Sequence, residues 1–260
     1  MKKDFLKIII EHKKKEVEAL KKKRPETLLR LESQAERDIR PFYENLKKPD
    51  KINIIAEIKR ASPSKGDICL NLDPAKMAKD YEKGGACAIS VLTDEKFFKG
   101  SLDDFIFARK ATSLPMLRKD FIISSYQVYE SFISGADAVL LIAKILSKEQ
   151  LKDLLALTHE LKMSALVEIN SEKDFKKAAD AGARIIGINN RDLNSFNTDI
   201  TTATRLISLF NKDQIAVAAS GISGKKDIIK TCKAGILNFL IGESLVKADN
   251  PVTFLKSLIE

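Results

Sequence analysis

The chain has 260 residues, 44% of them hydrophobic and 31% charged, with a formal net charge of +9. This length and apolar content are enough for a sizeable core and exclude an intrinsically disordered protein. No apolar run reaches the ~18 residues of a membrane span, and no signal-peptide pattern opens the chain, so we expect a cytoplasmic protein without a membrane partner.

Residues 1–50 are predicted to form a helical extension. An apolar stripe at helical spacing indicates a helix near the start, and its members are Phe5, Leu6, Ile8, Ile9, Val17 and Leu20. Pro25, Pro41 and Pro49 interrupt the segment that follows. We expect this extension to pack on a single domain formed by residues 51–260 and not to fold separately.

The net charge is concentrated in residues 1–24, which contain ten basic and four acidic residues. A basic face can attract nucleic acid or an anionic small molecule. The segment has no interleaved aromatic residues and no known nucleic-acid motif, so we interpret its lysines, Lys13 among them, as the solvated side of an amphipathic helix. A nucleic-acid-binding protein that uses this helix is the alternative from another functional class.

Cysteine and histidine are too few and too scattered to predict a metal site. Cys69, Cys87 and Cys232 are far apart and lack the CxxC spacing of zinc ligands. His12 lies in a lysine-rich stretch and His159 in a helical pattern with charged neighbours, so both are interpreted as surface residues. The sequence therefore predicts neither a disulfide framework nor histidine-based catalysis.

From residue 52 onward, short apolar runs alternate with longer helical patterns. Eight runs are predicted as strands: Ile52–Lys59, Ala88–Asp94, Pro115–Phe121, Asp137–Ala143, Ser164–Ile169, Arg184–Asn190, Ile215–Ser220 and Asn238–Ser244. Alternating βα units imply parallel strands with right-handed crossovers. Eight units favour a closed barrel over a doubly wound sheet, because no GxGxxG turn marks a switch point. The predicted fold class is α/β, a single (β/α)8 TIM barrel with an N-terminal helical extension.

Charged side chains end the first and third predicted strands, where barrels of this class carry their reactive groups. Glu57 and Lys59 share one face of the first strand because side chains alternate along a strand. By the same alternation Lys119 lies between inward-facing Leu117 and Phe121. A lysine among apolar residues is desolvated, so we expect the pKa of Lys119 to be lowered, as suits acid–base catalysis.

The remaining strand ends carry one carboxylate, amides and glycines. The fifth strand ends with Glu168 in an apolar run, and the sixth with Asn189, whose amide can hold a substrate by hydrogen bonds. Glycine lets backbone N–H groups approach a phosphate closely, and barrels often bind phosphate after strands seven and eight. A phosphate site is therefore predicted at the Ser-Gly and Gly-Glu pairs that follow those strands: Ser220, Gly221, Gly242 and Glu243.

Six segments resemble the motifs of the indole-3-glycerol phosphate synthase family, in the same order and spacing. They are residues 55–66 (Ile-Ala-Glu-Ile-Lys-Arg-Ala-Ser-Pro-Ser-Lys-Gly), 92–94, 118–122, 167–169, 187–193 and 220–222. The resemblance runs from the N-terminal helix to the last strand. The first segment and the Asn-Asn-Arg-Asp-Leu run are too long to match by chance.

The resemblance implies a carboxy-lyase of tryptophan biosynthesis. Its substrate would be 1-(2-carboxyphenylamino)-1-deoxyribulose 5-phosphate, a small anionic phosphorylated molecule. A ring carbon attacks the ketone, CO₂ leaves, and dehydration completes the indole of indole-3-glycerol phosphate. The resemblance implies no cofactor and no metal. We expect a monomer that binds no nucleic acid.

The resemblance also assigns residue roles. Lys119 would be the general acid on the ketone oxygen and Glu168 the general base for dehydration. Lys59 would bind the substrate carboxylate, Glu57 would orient both lysines, and Asn189 would steady the intermediate. These roles agree with the pairing of lysines and carboxylates, which lets acid and base functions separate.

Further residues would bind the substrate. Arg191 would assist Asn189, Phe121 would pack on the aromatic part, and Ser62 of the first-strand motif would contact the substrate. The phosphate would be held by Ser220, Gly221, Gly242 and the backbone of Glu243.

One position departs from the family pattern. The family usually has Glu-Ser-Gly after strand seven, whereas this chain has Ala219-Ser220-Gly221. A carboxylate near the catalytic lysines is therefore missing. Strand alternation places residue 219 opposite Ser220, so we expect it to reach the site only if the chain twists at the end of the strand.

Two other enzymes remain as alternatives within the same fold. Phosphoribosylanthranilate isomerase and Schiff-base aldolases are also phosphate-binding barrels. An aldolase would use a lysine as a Schiff base with a keto substrate.

Overall fold

The structure is a computed structural model that describes residues 5–48, 50–192 and 194–260. Its strands are β1 (Asn53–Ile58), β2 (Ala61–Ser62), β3 (Gly66–Asp67), β4 (Ala88–Leu92), β5 (Met116–Lys119), β6 (Ala138–Ile142), β7 (Ser164–Ile169), β8 (Ile185–Asn189), β9 (Ile215–Ala219) and β10 (Asn238–Ile241). Its helices are α1 (Phe5–Lys23), α2 (Glu26–Glu32), α3 (Phe42–Leu46), α4 (Pro74–Lys83), α5 (Glu95–Phe98), α6 (Leu102–Ala111), α7 (Ser125–Ile133), α8 (Lys148–Glu160), α9 (Glu172–Asp180), α10 (Thr201–Leu206), α11 (Lys225–Cys232), α12 (Glu243–Val246) and α13 (Pro251–Ile259), with a 3₁₀ turn at Ile207–Leu209.

Eight strands of the described chain close into a parallel barrel in the order β1-β10-β9-β8-β7-β6-β5-β4. The predicted (β/α)8 barrel is confirmed. Several predicted strands run too far at their C-terminal ends, because residues after Lys119 and Ile241 leave the ladder to form loops and α12. The short β2–β3 hairpin follows the C-terminal end of β1.

Two apolar layers explain why the strands are nearly continuous apolar runs. One face of each strand fills the barrel interior, with members such as Ile55, Leu117, Leu140, Leu166, Val217 and Leu240. The other face packs under the helices, with members such as Ile54, Val91, Val139, Val167, Ile186 and Phe239. Parallel strands covered on both faces read as apolar runs without alternation.

The N-terminal extension contacts both ends of the barrel. Leu6 and Ile9 of α1 and Phe42 and Leu46 of α3 belong to the same apolar cluster as the barrel interior. The Asn45 amide donates to the Cys87 carbonyl, just before β4, at 2.8 Å. The extension therefore packs on the barrel, while residues 1–4 and Pro49 lie outside the described residues.

The interpretation of the N-terminal lysines as solvated is wrong for Lys13. Its side chain is 0% exposed and its ammonium lies between three carboxylates. In the described part of the chain, no helix is both long enough and apolar enough to cross a membrane.

Candidate active site

A cavity of about 490 Å³ opens at the C-terminal ends of the barrel strands. Every residue predicted to act in catalysis or binding lines it: Glu57, Lys59, Ser62, Lys119, Phe121, Glu168, Asn189, Arg191, Ser220, Gly221, Gly242 and Glu243. They converge because parallel strands end on one rim of the barrel. The cavity holds charged groups in its depth, aromatic rings on one side and serine and glycine residues on the other.

The deepest charged group is Glu57, which bridges two lysines. Its Oε1 lies 2.9 Å from Lys59 Nζ and its Oε2 lies 3.5 Å from Lys119 Nζ. A Cβ at Gly242 would lie 2.6 Å from Glu57 Oε1 and 3.0 Å from Glu57 Cβ. Glycine at the end of β10 therefore makes room for the carboxylate between the lysines.

The expected lowering of the Lys119 pKa is wrong. Burial alone would lower the pKa, but the carboxylates of Glu57 and Glu168 outweigh it and raise the pKa above that of an ordinary lysine. For Glu57, burial would raise the pKa, but the ammonium groups of Lys59 and Lys119 hold it below its ordinary value. Lys119 is therefore a partly buried group, 17% exposed, whose raised pKa favours the protonated form that can donate a proton.

A second carboxylate faces the cavity from β7. The Asn189 amide donates to Glu168 Oε1 at 3.1 Å, and Asn189 Oδ1 accepts from the Arg191 backbone N–H at 3.0 Å. Arg191 is held in turn by Ser64 Oγ, 3.0 Å from Nη1. This chain of hydrogen bonds fixes Glu168 across the mouth from the lysines.

Aromatic rings form the apolar side of the cavity. Phe121 lies 6.1 Å from Phe98 between ring centroids, and Phe5 of α1 lies 5.1 Å from Phe196. Leu6 and Ile9 of α1 line the same side. The apolar stripe of α1 predicts a helix that packs on the barrel, and no contribution to the site was expected from it. The same stripe is the sequence feature that could have indicated these residues as part of the cavity lining.

The opposite side of the cavity follows β9 and β10. Ser220 and Gly221 both have left-handed backbones, with φ of +67° and +78°. A Cβ at Gly221 would lie 2.8 Å from Thr198 Cγ2, so glycine is needed there for both its conformation and its space. Glu243 begins α12, and its carboxylate pairs with Lys247 at 2.8 Å. Lys247 also lines the cavity and was missed, although its position one helical turn after Glu243 was a usable signal.

Ala219 lies on the cavity wall, contrary to the expectation from strand alternation. It belongs to the apolar cluster of the barrel interior, two residues after inward-facing Val217. Ser220 reaches the same cavity because its left-handed backbone ends the alternation. A longer side chain at position 219 would therefore enter the mouth directly.

The cavity has an excess of positive charge and an unused hydroxyl. Its described lining contains five basic side chains and three acidic ones: Lys59, Lys65, Lys119, Arg191 and Lys247 against Glu57, Glu168 and Glu243. The Ser62 hydroxyl is buried and has no hydrogen-bond partner among the described residues. Buried hydroxyls are normally satisfied, so Ser62 is a candidate to contact a bound molecule. The cavity is suited to an anionic ligand.

Comparison with known proteins extends the sequence resemblance. The profile of the indole-3-glycerol phosphate synthase family matches residues 6–258. The indole-3-glycerol phosphate synthase of Desulfosudis oleivorans is 55% identical over 98% of this chain and 98% of its own length, and that of Syntrophobacter fumaroxidans is 47% identical over 98% and 97%. The chain is also similar to the solved structure of 3-hexulose-6-phosphate synthase from Salmonella typhimurium, with a TM-score of 0.63 and 12% identity over 79% of this chain and 96% of that one. This last likeness shows the barrel fold alone.

Proposed function

Because this chain belongs to the indole-3-glycerol phosphate synthase family, we propose that the cavity at the barrel mouth is its active site and that the lining residues divide the reaction between them. The chain is a carboxy-lyase of tryptophan biosynthesis, which forms indole-3-glycerol phosphate with loss of CO₂ and water. The match to this family favours indole formation over the isomerase and aldolase alternatives. The bridge from Glu57 to Lys59 and Lys119 is the observation that carries the division of roles.

Lys119 acts as the general acid in the ring-closing step. The attack of the ring carbon on the ketone leaves negative charge on the ketone oxygen, which needs a proton. Lys119 is partly buried and its pKa is raised by Glu57 and Glu168, so it holds that proton at neutral pH. Lys59 binds the substrate carboxylate and keeps the substrate in its bent, reactive conformation, while Glu57 orients both ammonium groups.

Glu168 acts as the general base in the dehydration. Its Oε1 is fixed by Asn189, and Asn189 is held by the backbone of Arg191. Asn189 and Arg191 can then hydrogen-bond the intermediate that has lost CO₂. Phe121 packs on the aromatic part and Ser62 contacts the substrate. Acid and base stand on different strands, so a proton can be given at one step and taken at another.

The phosphate binds at the loops after β9 and β10. Ser220, Gly221, Gly242 and the backbone of Glu243 surround this end of the cavity. Backbone N–H groups at a glycine turn and at a helix start favour an anion. The excess positive charge of the lining supports the same assignment.

We expect Gly221→Ala to raise KM roughly tenfold or more with a smaller change in kcat, because a hydrogen bond to a charged group contributes about 1.5–3 kcal/mol. The new Cβ would lie 2.8 Å from Thr198 Cγ2 at a backbone with φ of +78°, so the loop that is proposed to hold the phosphate must rearrange. Gly182→Ala is the matched control, since Gly182 also has positive φ (+86°) but an added Cβ meets nothing within 4 Å. Steady-state kinetics in which both variants change KM equally would refute the phosphate site.

The proposed activity is tested by incubating the protein with 1-(2-carboxyphenylamino)-1-deoxyribulose 5-phosphate and following indole fluorescence. We expect turnover with release of one CO₂ per indole formed. Absence of turnover, together with borohydride trapping of a lysine by a keto substrate, would instead support a Schiff-base aldolase.

The state of the protein in the cell is also part of the proposal. We propose that it acts as a monomer in the cytoplasm on its small phosphorylated substrate, without binding nucleic acid. The burial of Lys13 supports the last point, since it removes one cation from the surface that nucleic acid would contact.

A further inference from the structure

A fully buried lysine joins the N-terminal helix to the barrel. Lys13 Nζ lies 2.9 Å from Glu16 Oε1, 2.9 Å from Asp94 Oδ2 and 3.0 Å from Asp120 Oδ1. The Lys13 and Asp94 side chains are 0% exposed and that of Asp120 is 2% exposed. The reaction described above does not use any of these groups.

The two aspartates hold the segments that carry Phe98 and Phe121, which with Phe5, Leu6 and Ile9 of α1 form the apolar side of the cavity, here called the aromatic wall. Asp94 follows β4 and accepts the Phe97 backbone N–H at 2.7 Å, which starts the short helix that ends with Phe98. Asp120 accepts the Phe121 backbone N–H at 2.8 Å and stands between Lys119 and Phe121 in the chain. A displacement of either aspartate would move a ring that faces the substrate.

Lys13 also fixes the part of the aromatic wall that α1 contributes. Phe5, Leu6 and Ile9 lie eight, seven and four residues before Lys13, so all four share one face of α1. The three apolar residues line the cavity, and Lys13 meets the barrel one turn further along. The ion pairs therefore set how α1 lies over the mouth.

The pKa values of Lys13 and Asp120 are both shifted in the direction that favours their charged forms. Burial would lower the pKa of Lys13, but Asp120, Asp94 and Glu16 raise it above that of an ordinary lysine. Burial would raise the pKa of Asp120, but Lys13 and Arg118 hold it at about 2. Thr93 adds a hydrogen bond of 2.7 Å to Asp120. The Lys13–Asp120 ion pair is thus favoured at neutral pH.

We propose that Lys13 is a positioning residue for the aromatic half of the substrate: it braces α1, the Asp94 loop and the Lys119–Phe121 segment against one another. This inference rests on the proposed function. It predicts a selective defect, because the ion pairs that Lys13 makes with described residues join α1, the Asp94 loop and Asp120, and none of them reaches the phosphate loops after β9 and β10.

The test measures inhibition of turnover by two substrate fragments, 2-aminobenzoate for the aromatic half and inorganic phosphate for the other. In Lys13→Met we expect the inhibition constant of 2-aminobenzoate to rise at least about tenfold, while that of phosphate stays within about twofold. The matched control is Lys15→Met, which removes an exposed lysine of the same helix and should change neither constant. Equal weakening of both fragments, or of neither, would overturn the proposal.

A second variant separates positioning from simple charge balance. Lys13→Met leaves Asp94 and Asp120 with too little positive charge, and loss of one partner of a buried ion pair is strongly destabilising. Lys13→Met/Asp94→Asn restores the balance, and the asparagine can still cap α5. If Lys13 positions the wall, this double variant regains stability but keeps the selective loss of 2-aminobenzoate. Recovery of that affinity would show that Lys13 only neutralises charge. No turnover by the wild type would refute the proposed function instead.

Discussion

Replacing Lys119 with methionine is expected to lower kcat by roughly 10²–10⁴-fold, the usual contribution of a general acid. Methionine retains most of the apolar stem that packs beneath the Lys119 ammonium, so the cavity should keep its shape. Lys119 Nζ lies 3.5 Å from Glu57 Oε2, and the substitution removes this ammonium, which is the proposed proton donor. Steady-state kinetics and circular dichroism on the same preparation check the result.

Lys76→Met provides the matched control for this variant. Lys76 is an exposed lysine on α4 that pairs with Asp80 at 2.6 Å, away from the cavity lining. The Lys76→Met variant should have the kcat of the wild type. A Lys119→Met enzyme with kcat within about threefold of the wild type, at unchanged circular dichroism, would show that another group donates the proton.

The barrel could be predicted from the sequence because each strand is buried on both faces. Runs such as Ala138–Ile142 are apolar along their whole length, and the spacing of the runs left room for one helix between successive strands. Strand ends were less predictable. Phe121 and Ser244 were placed within strands because they continue the run, but in the fold they belong to a loop and to α12.

The strand-end residues that line the cavity could also be predicted, because side chains alternate along each strand and parallel strands end on one rim of the barrel. Glu57, Lys59 and Lys119 needed no distant information to be placed inward. Ala219 was misplaced because alternation fails where Ser220 adopts a left-handed backbone. That conformation is set by the turn after β9 and is not visible in the spacing of side chains.

Electrostatics could not be predicted from neighbours along the chain. Leu117 and Phe121, which share the strand face of Lys119, are apolar and indicate a lowered pKa, but the counter-charges of Lys119 come from β1 and β7. Lys13 looked solvated for the same reason, since Asp94 and Asp120 lie far along the chain. A helical pattern shows which face a lysine occupies and not what that face meets. Leu193 of the family motif lies outside the described residues.

Loss of the Glu57 carboxylate should be unusually damaging in this chain, because Ala219 stands where the family usually has glutamate. We expect Glu57→Gln to lower kcat by at least about 10²-fold and to move the alkaline limb of the pH–rate profile toward neutral pH. The sign follows from the charges. Glu57 raises the pKa of Lys119, and without it only Glu168 opposes the effect of burial, so that pKa falls and the general acid loses its proton at lower pH. The kcat profile, followed upward from neutral pH, measures the shift.

Ala219→Glu should partly restore both properties in the Glu57→Gln background. Ala219 lines the same cavity as the two lysines, so a carboxylate there can stabilise the protonated form of Lys119 and return the alkaline limb to higher pH. The comparison of both single variants with the double variant measures coupling, which distant and independent sites do not show. Ala219→Ser is the matched control, because it adds a polar group at the same position without a charge. If the double variant is no more active than Glu57→Gln and its alkaline limb is not shifted, position 219 does not act on the lysines. Alanine in place of the family glutamate would then have no effect on the two lysines.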